Sequence, residues 1–170
     1  MSERESAIVV RIRVPASIER LRRAHDWAAR RGVPAHVTIN YPFMAASELT
    51  PAAREELAQI AGEFRAFSVA FRSAARWPGL VYLEPLPSSP FTALIDRVAA
   101  CFPEHPPYAG AISEVIPHLT VVESDEVPLD DIAAAAQVAL PFEAEASGLE
   151  VLAEADDGRW HRRWRLPFRP

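Results

Sequence analysis

Apolar and polar positions alternate with period two along much of this chain, and between these runs the apolar positions recur every three to four residues, so strands and helices trade places from end to end. The first run, 7–14, sets Val10, Ile12 and Val14 against Arg11 and Arg13 and predicts a strand. Pro15 opens a helix to about residue 31, with Ile18, Leu21 and Trp27 as apolar positions and Gly32 as its stop. A strand over 35–41 is closed by Pro42, and Thr50-Pro51 opens a helix to about residue 64 with proline in its first turn. A long strand over 67–77 ends at the Pro78-Gly79 turn.

A similar series then begins again. A strand over 80–84 leads to a helix over 90–102, whose Leu94, Ile95 and Val98 share one side. Residues 103–108 are rich in proline and predict a fixed loop. Next come a strand over 118–123, an Ala-rich helix over 128–139 and a strand over 142–154. Asp157-Gly158 is a hairpin signal, and 159–168 is the closing strand. The order strand, helix, strand, helix, strand thus occurs twice, over approximate units 7–77 and 80–154, within one domain spanning 1–170. An α+β fold of antiparallel sheet with helices on one face suits this order better than a parallel, doubly wound sheet.

Composition narrows the class of protein. With 49% hydrophobic and 24% charged residues the chain reads as an ordinary globular domain, and no apolar run reaches the roughly 18 residues of a bilayer span. The polar start, Ser2-Glu3-Arg4-Glu5, carries no signal-peptide pattern. Cys101 is the only cysteine, so an internal disulfide is excluded. These features predict a cytoplasmic, reduced, monomeric protein with no membrane attachment. The net charge of -5 argues against sequence-blind binding of duplex DNA. All 18 basic residues are arginine, and none lies between Val98 and Gly158, so the ends of the chain are basic and the middle acidic. Such a distribution can focus an anion on one side of a cleft.

One pattern carries the candidate chemistry, and it occurs twice. Residues 36–39 read His36-Val37-Thr38-Ile39, and residues 118–121 read His118-Leu119-Thr120-Val121. On a strand, His and Thr of each copy point one way while the apolar residues point the other, toward a core. Only five histidines and four threonines are present, so the coincidence of both types at this spacing is informative. Two imidazoles facing each other across a phosphodiester can divide acid–base work, since the imidazole pKa lies near neutrality. Two hydroxyls can donate to the non-bridging oxygens, where charge develops. Structural His–Thr pairs on half-buried strands are the bland alternative.

The doublet resembles the 2H phosphoesterase superfamily, the group of 2'-5' RNA ligase-like proteins and cyclic phosphodiesterases. The resemblance extends to Tyr41-Pro42-Phe43 after the first motif, Pro117 before the second, and the segments 80–85 and 89–91 between them. It implies two pseudo-symmetric lobes of antiparallel sheet with helices on the outer faces and a cleft between them, one motif per lobe. It also implies His36 and His118 as catalytic pair, Thr38 and Thr120 as phosphate ligands, and no cofactor or metal. The expected substrate is a nucleotide or RNA end carrying a 2',3'-cyclic phosphate, or a 2'-5' linkage.

Further contacts are weaker expectations. Asn40 falls on the motif face under simple alternation and could orient substrate or a histidine. Tyr41 and Tyr108, like Trp77 and Tyr82, could stack on a base. On the closing strand Arg159, His161, Arg163 and Arg165 share one face under simple alternation, a basic stripe suited either to a phosphate backbone or to guarding a sheet edge. Arg11 and Arg13 share that ambiguity. A nucleotide-binding module without turnover is the competing class, and a zinc site the third. Neither motif offers a second His or a Cys at ligand spacing, and no G-x-S-x-G elbow or phosphate-cradling glycine loop is present.

Overall fold

The computed structural model describes residues 4–170. Eight strands and five α-helices follow one another in the order β1 (Ser6–Arg11), α1 (Ala16–His25), α2 (Trp27–Arg30), β2 (His36–Asn40), α3 (Pro51–Glu63), β3 (Phe67–Trp77), β4 (Leu80–Leu86), α4 (Ser89–Cys101), β5 (Leu119–Glu123), α5 (Leu129–Val138), β6 (Phe142–Ala146), β7 (Gly148–Glu154) and β8 (Trp160–Pro167). The strands form one antiparallel sheet in the order β6-β3-β4-β5-β2-β1-β7-β8. β2 and β5, the two motif strands, lie at its centre, joined by the Val37–Leu119 pair. The sheet is curled, with a lobe of four strands on either side of that junction, as the α+β bilobal expectation has it.

The lobes are not the two halves of the sequence. β3 ends the first expected unit but pairs with β4 and β6 in the second lobe, while β7 pairs with β1 in the first. Helices cross over as well: α1 packs on β5 and α4 on β2. Their shared interior is one apolar cluster in which Ile8, Val37, Val81, Leu83, Phe91, Leu94, Leu119 and Val121 are fully buried. Each such side chain contributes about 1.5–3 kcal/mol on leaving water. That interior holds the four apolar residues of the motifs and fixes which way their His and Thr neighbours turn.

Two predicted elements divide. The helix expected over 15–31 breaks at Asp26, which leaves helical geometry (φ -91°, ψ 124°) and caps α2 by accepting a hydrogen bond from the Ala29 amide at 3.0 Å. The strand expected over 142–154 breaks at Ser147, so that β6 lies on one edge of the sheet and β7 lies in the opposite lobe. The corner between them is tight. A Cβ at Gly148 would come within 2.6 Å of the Leu166 carbonyl oxygen and 3.0 Å of the Pro167 Cα. The Phe168 amide donates to the Ser147 carbonyl at 2.9 Å, and the Ala66 amide to the Arg169 carbonyl at 2.8 Å, stitching the chain end to this corner. Since only backbone stands in the way, Gly148→Ala is expected to destabilise the fold by about 1–3 kcal/mol, read as a lower urea midpoint.

Candidate active site

The register of the two central strands assembles the site. Continuing the antiparallel Val37–Leu119 pairing by one residue each way sets His36 across from Thr120 and Thr38 across from His118. Val37 and Leu119 are sealed in the helix-side core, so the four flanking side chains share the opposite, concave face. All four are half-buried.

Both imidazoles are braced in the same way. The Nδ1 of His36 lies 2.7 Å from the Pro34 carbonyl oxygen, and that of His118 lies 2.8 Å from the Ile116 carbonyl oxygen. A carbonyl only accepts, so Nδ1 carries the proton in each ring and Nε2 is left for chemistry. Nε2 of His36 meets the Thr38 hydroxyl at 3.1 Å, which can donate to it while the ring is neutral. His118 is flanked by an aromatic pair. Its ring meets Trp77 edge-on at 4.9 Å and Tyr82 at 5.8 Å, and those two stack on each other at 4.1 Å. Tyr82 pairs with Thr120 across β4 and β5, which places the aromatic pair on the cleft face.

The rings differ electrostatically. Burial drives His36 down from 6.5 to about 4, against its bond to Pro34, and the charges of Arg22 and His118 push the same way. Burial also lowers His118, but the bond to Ile116 and the negative charge of Glu123 oppose it. In the unfolded chain an imidazole titrates near 6.5, so between pH 6.5 and 4 the unfolded state binds the extra proton. Stability conferred by neutral His36 is therefore complete above this window and lost on acidification through it, by about 3 kcal/mol at ~1.4 kcal/mol per pH unit. His36→Gln is expected to flatten that fall, measured as urea midpoints between pH 7 and 4.5.

The weaker expectations fare unevenly. The β1–β2 register shifts between Ile8 and Val9, which face Asn40 and Thr38 respectively, so alternation does not carry from Thr38 to Asn40. Asn40 is fully buried, away from the cleft, and donates to the His105 carbonyl at 2.8 Å, anchoring the Pro-rich loop. Tyr41 donates its hydroxyl to Glu5 and packs edge-on against Trp160 at 6.1 Å. The Tyr108 amide bonds to the Tyr41 carbonyl at 2.7 Å, with Tyr108 and Ala109 both in the left-handed region (φ 53° and 52°). On β8 a bulge breaks the expected stripe. Arg162 faces Leu152 and Trp164 faces Val151, leaving Arg163 exposed as the extra residue, so it does not simply share a face with Arg165.

The model of the 2'-5' RNA ligase superfamily matches residues 10–158. The chain belongs to this superfamily. Among solved structures, the 2'-5' RNA ligase fold is shared with E. coli LigT complexed with 3'-AMP (16% identity, 99% of this chain and 100% of that one, TM-score 0.57) and LigT complexed with NADP+ (18%, 100% and 100%, 0.55). It is shared as well with the protein TT0787 of Thermus thermophilus (15%, 97% and 98%, 0.65). No curated protein matches the chain.

This superfamily member carries a support that its sequence pattern hides. Arg22 and Asp26 are buried together on and just beyond α1, 3.6 Å apart. Arg22 donates to the Val33 carbonyl at 3.2 Å, on the approach to His36, and Asp26 accepts from the Glu123 amide at 3.1 Å, at the end of β5. One ion pair thus holds both motif strands from behind. An Asp with cap spacing before Trp27 was its only sequence signal. Among the described residues no three His, Cys, Asp or Glu side chains come together as a metal site would require, and no helix is long and apolar enough to cross a membrane.

Proposed function

We infer that the protein is a phosphoesterase that opens 2',3'-cyclic phosphates of nucleotides or RNA ends, or acts on 2'-5' linkages, by acid–base catalysis from His36 and His118. The observation that carries this reading is the pair of imidazoles on one concave face, each held by a carbonyl at Nδ1 with Nε2 uncommitted to the backbone. His36, the more strongly lowered ring, serves as base: its Nε2 removes a proton from water as the water oxygen bonds to phosphorus. His118, whose proton is favoured by Glu123, gives that proton to the departing ribose oxygen as the P–O bond breaks. Thr38 and Thr120 donate to the non-bridging oxygens. Solvent exchange then restores both rings. Trp77 and Tyr82 offer a stacked aromatic surface beside His118 for the base. The complex of LigT with 3'-AMP supports a nucleotide as the ligand class.

The test is hydrolysis of a nucleoside 2',3'-cyclic phosphate in EDTA, followed across pH. The combination of neutral His36 and protonated His118 is most populated on the acid side of 6.5, since burial lowers both rings. A kcat/KM maximum below pH 6.5 is expected. Binding of the cyclic phosphate without turnover at any pH would assign the cleft to recognition alone.

A further inference from the structure

Simple alternation along β5, starting from His118 and Thr120, puts Val122 on the cleft face and turns Glu123 toward the core. The structure reverses these two. Leu80 pairs with Glu123 but Tyr82 pairs with Thr120, so β5 uses one residue more than β4 over this stretch. Val121 and Val122 are both fully buried, and the bulge returns Glu123 to the face that carries Tyr82 and Thr120. The carboxylate so delivered is held in place. The Trp27 indole N–H donates to Glu123 Oε2 at 3.3 Å, and Asp26 Oδ1 accepts from the Glu123 amide at 3.1 Å. Trp27 is 44% exposed, and the Arg31 guanidinium lies 5.5 Å from its ring centroid. A surface indole with a cation on its face and a carboxylate at its edge acts as a clamp on that carboxylate.

The groups around His118 are unequal. From β3 and β4, Trp77 and Tyr82 meet it as aromatic rings. From β2, His36 carries the opposing demand, since each imidazole disfavours a proton on the other. Glu84, one residue beyond the Leu83–Leu119 pair, stands on the neighbouring strand and is exposed. Asp26 is committed to the Ala29 and Glu123 amides, and Glu5 to the Tyr41 hydroxyl. Burial keeps the Tyr108 hydroxyl neutral. Glu123 is the carboxylate whose charge reaches the His118 ring, whereas the charge reaching His36 from behind is that of Arg22. The two motifs are alike in sequence and in their Nδ1 bracing, so a charge from outside the doublet decides which ring keeps the proton. We propose that Glu123, turned onto the cleft by the bulge and clamped by Trp27, is the positioning residue that makes the doublet directional, holding the proton on His118 and setting the upper pH limit of turnover. The limit on turnover rests on His36 and His118 as the catalytic pair, whereas the coupling of Glu123 to His118 does not.

Two measurements separate the two. The first is NMR titration of the His118 imidazole in ligand-free protein. Its midpoint should move to lower pH in Glu123→Gln and stay near the native value in Glu123→Asp, which keeps the charge, and in Glu84→Gln. Salt should narrow the gap between native protein and Glu123→Gln, because the carboxylate is exposed. The second is the pH profile of kcat/KM for a nucleoside 2',3'-cyclic phosphate. Glu123→Gln is expected to lose roughly 3- to 10-fold on the alkaline side of the maximum and little on the acid side. A nitrophenyl ester, whose leaving group needs no proton, should show no such loss. A His118 midpoint that Glu123→Gln leaves in place, or that Glu84→Gln moves as far, overturns the proposal, as does a loss by the same factor at every pH. A midpoint that falls as expected in a protein inert toward every cyclic phosphate upholds the coupling and removes the catalytic reading instead.

Discussion

Replacing either His36 or His118 by alanine is expected to lower kcat for a nucleoside 2',3'-cyclic phosphate by roughly 10²–10⁴-fold, the usual worth of a positioned proton-transfer group. The double variant should lose little more than the worse single one, because two groups that move one proton set act as a unit. The roles separate by leaving group. A nitrophenyl ester departs without a proton, so it should restore much of the rate to His118→Ala and little to His36→Ala. Equal rescue of both would reverse or dissolve the assignment drawn from their unequal environments, His36 lowered to about 4 and His118 supported by Glu123. Thermal midpoints near neutrality should change little, since both rings are half-buried rather than in the core.

Arg22 gives the second large effect, on stability. Arg22→Met removes the partner of a buried Asp26 carboxylate and is expected to destabilise the protein by about 3–5 kcal/mol in urea unfolding at pH 7. Burial already pushes the Asp26 carboxyl above its ordinary value and the Arg22 guanidinium below its own, so neither tolerates loss of the other. Arg22→Met/Asp26→Leu should recover part of the loss, although about 1 kcal/mol of helix capping goes with Asp26. A double variant less stable than both singles would mean the pair acts only through its hydrogen bonds to Val33 and Glu123. Because those bonds hold the two motif strands, the folded fraction of Arg22→Met should also turn over more slowly.

What was legible in the sequence follows from local periodicity. The period-two pattern puts His36 and Thr38 opposite Val37 and Ile39, the strand expected over 67–77 coincides with β3, and the helix expected from Thr50-Pro51 to about residue 64 matches α3 to within a residue. The Val37–Leu119 register that joins the motifs was not legible, since pairing depends on two strands far apart in the chain. Bulges are hidden for the same reason. An extra residue at Arg163, or the shift beside Asn40, exists only relative to a partner strand. The run 142–154 changes phase at Ser147-Gly148, with apolar positions 142, 144 and 146 before it and 149 and 151 after it, and the crowding of Gly148 against Leu166 and Pro167 shows that the chain turns a corner there. The break at Asp26 has one local signal, Asp26 itself as a cap residue before Trp27, set inside a stretch with no proline or glycine between Ala16 and Arg31.

Convergence of both rings on a single phosphorus is most directly tested by ¹⁵N NMR of the imidazoles during titration with a nucleoside 2'-monophosphate. One equivalent should shift the Nε2 resonances of His36 and His118 together while each Nδ1, tied to the Pro34 or Ile116 carbonyl, stays protonated and nearly still. A response from one ring alone, or two rings saturating at different stoichiometries, would contradict a shared site.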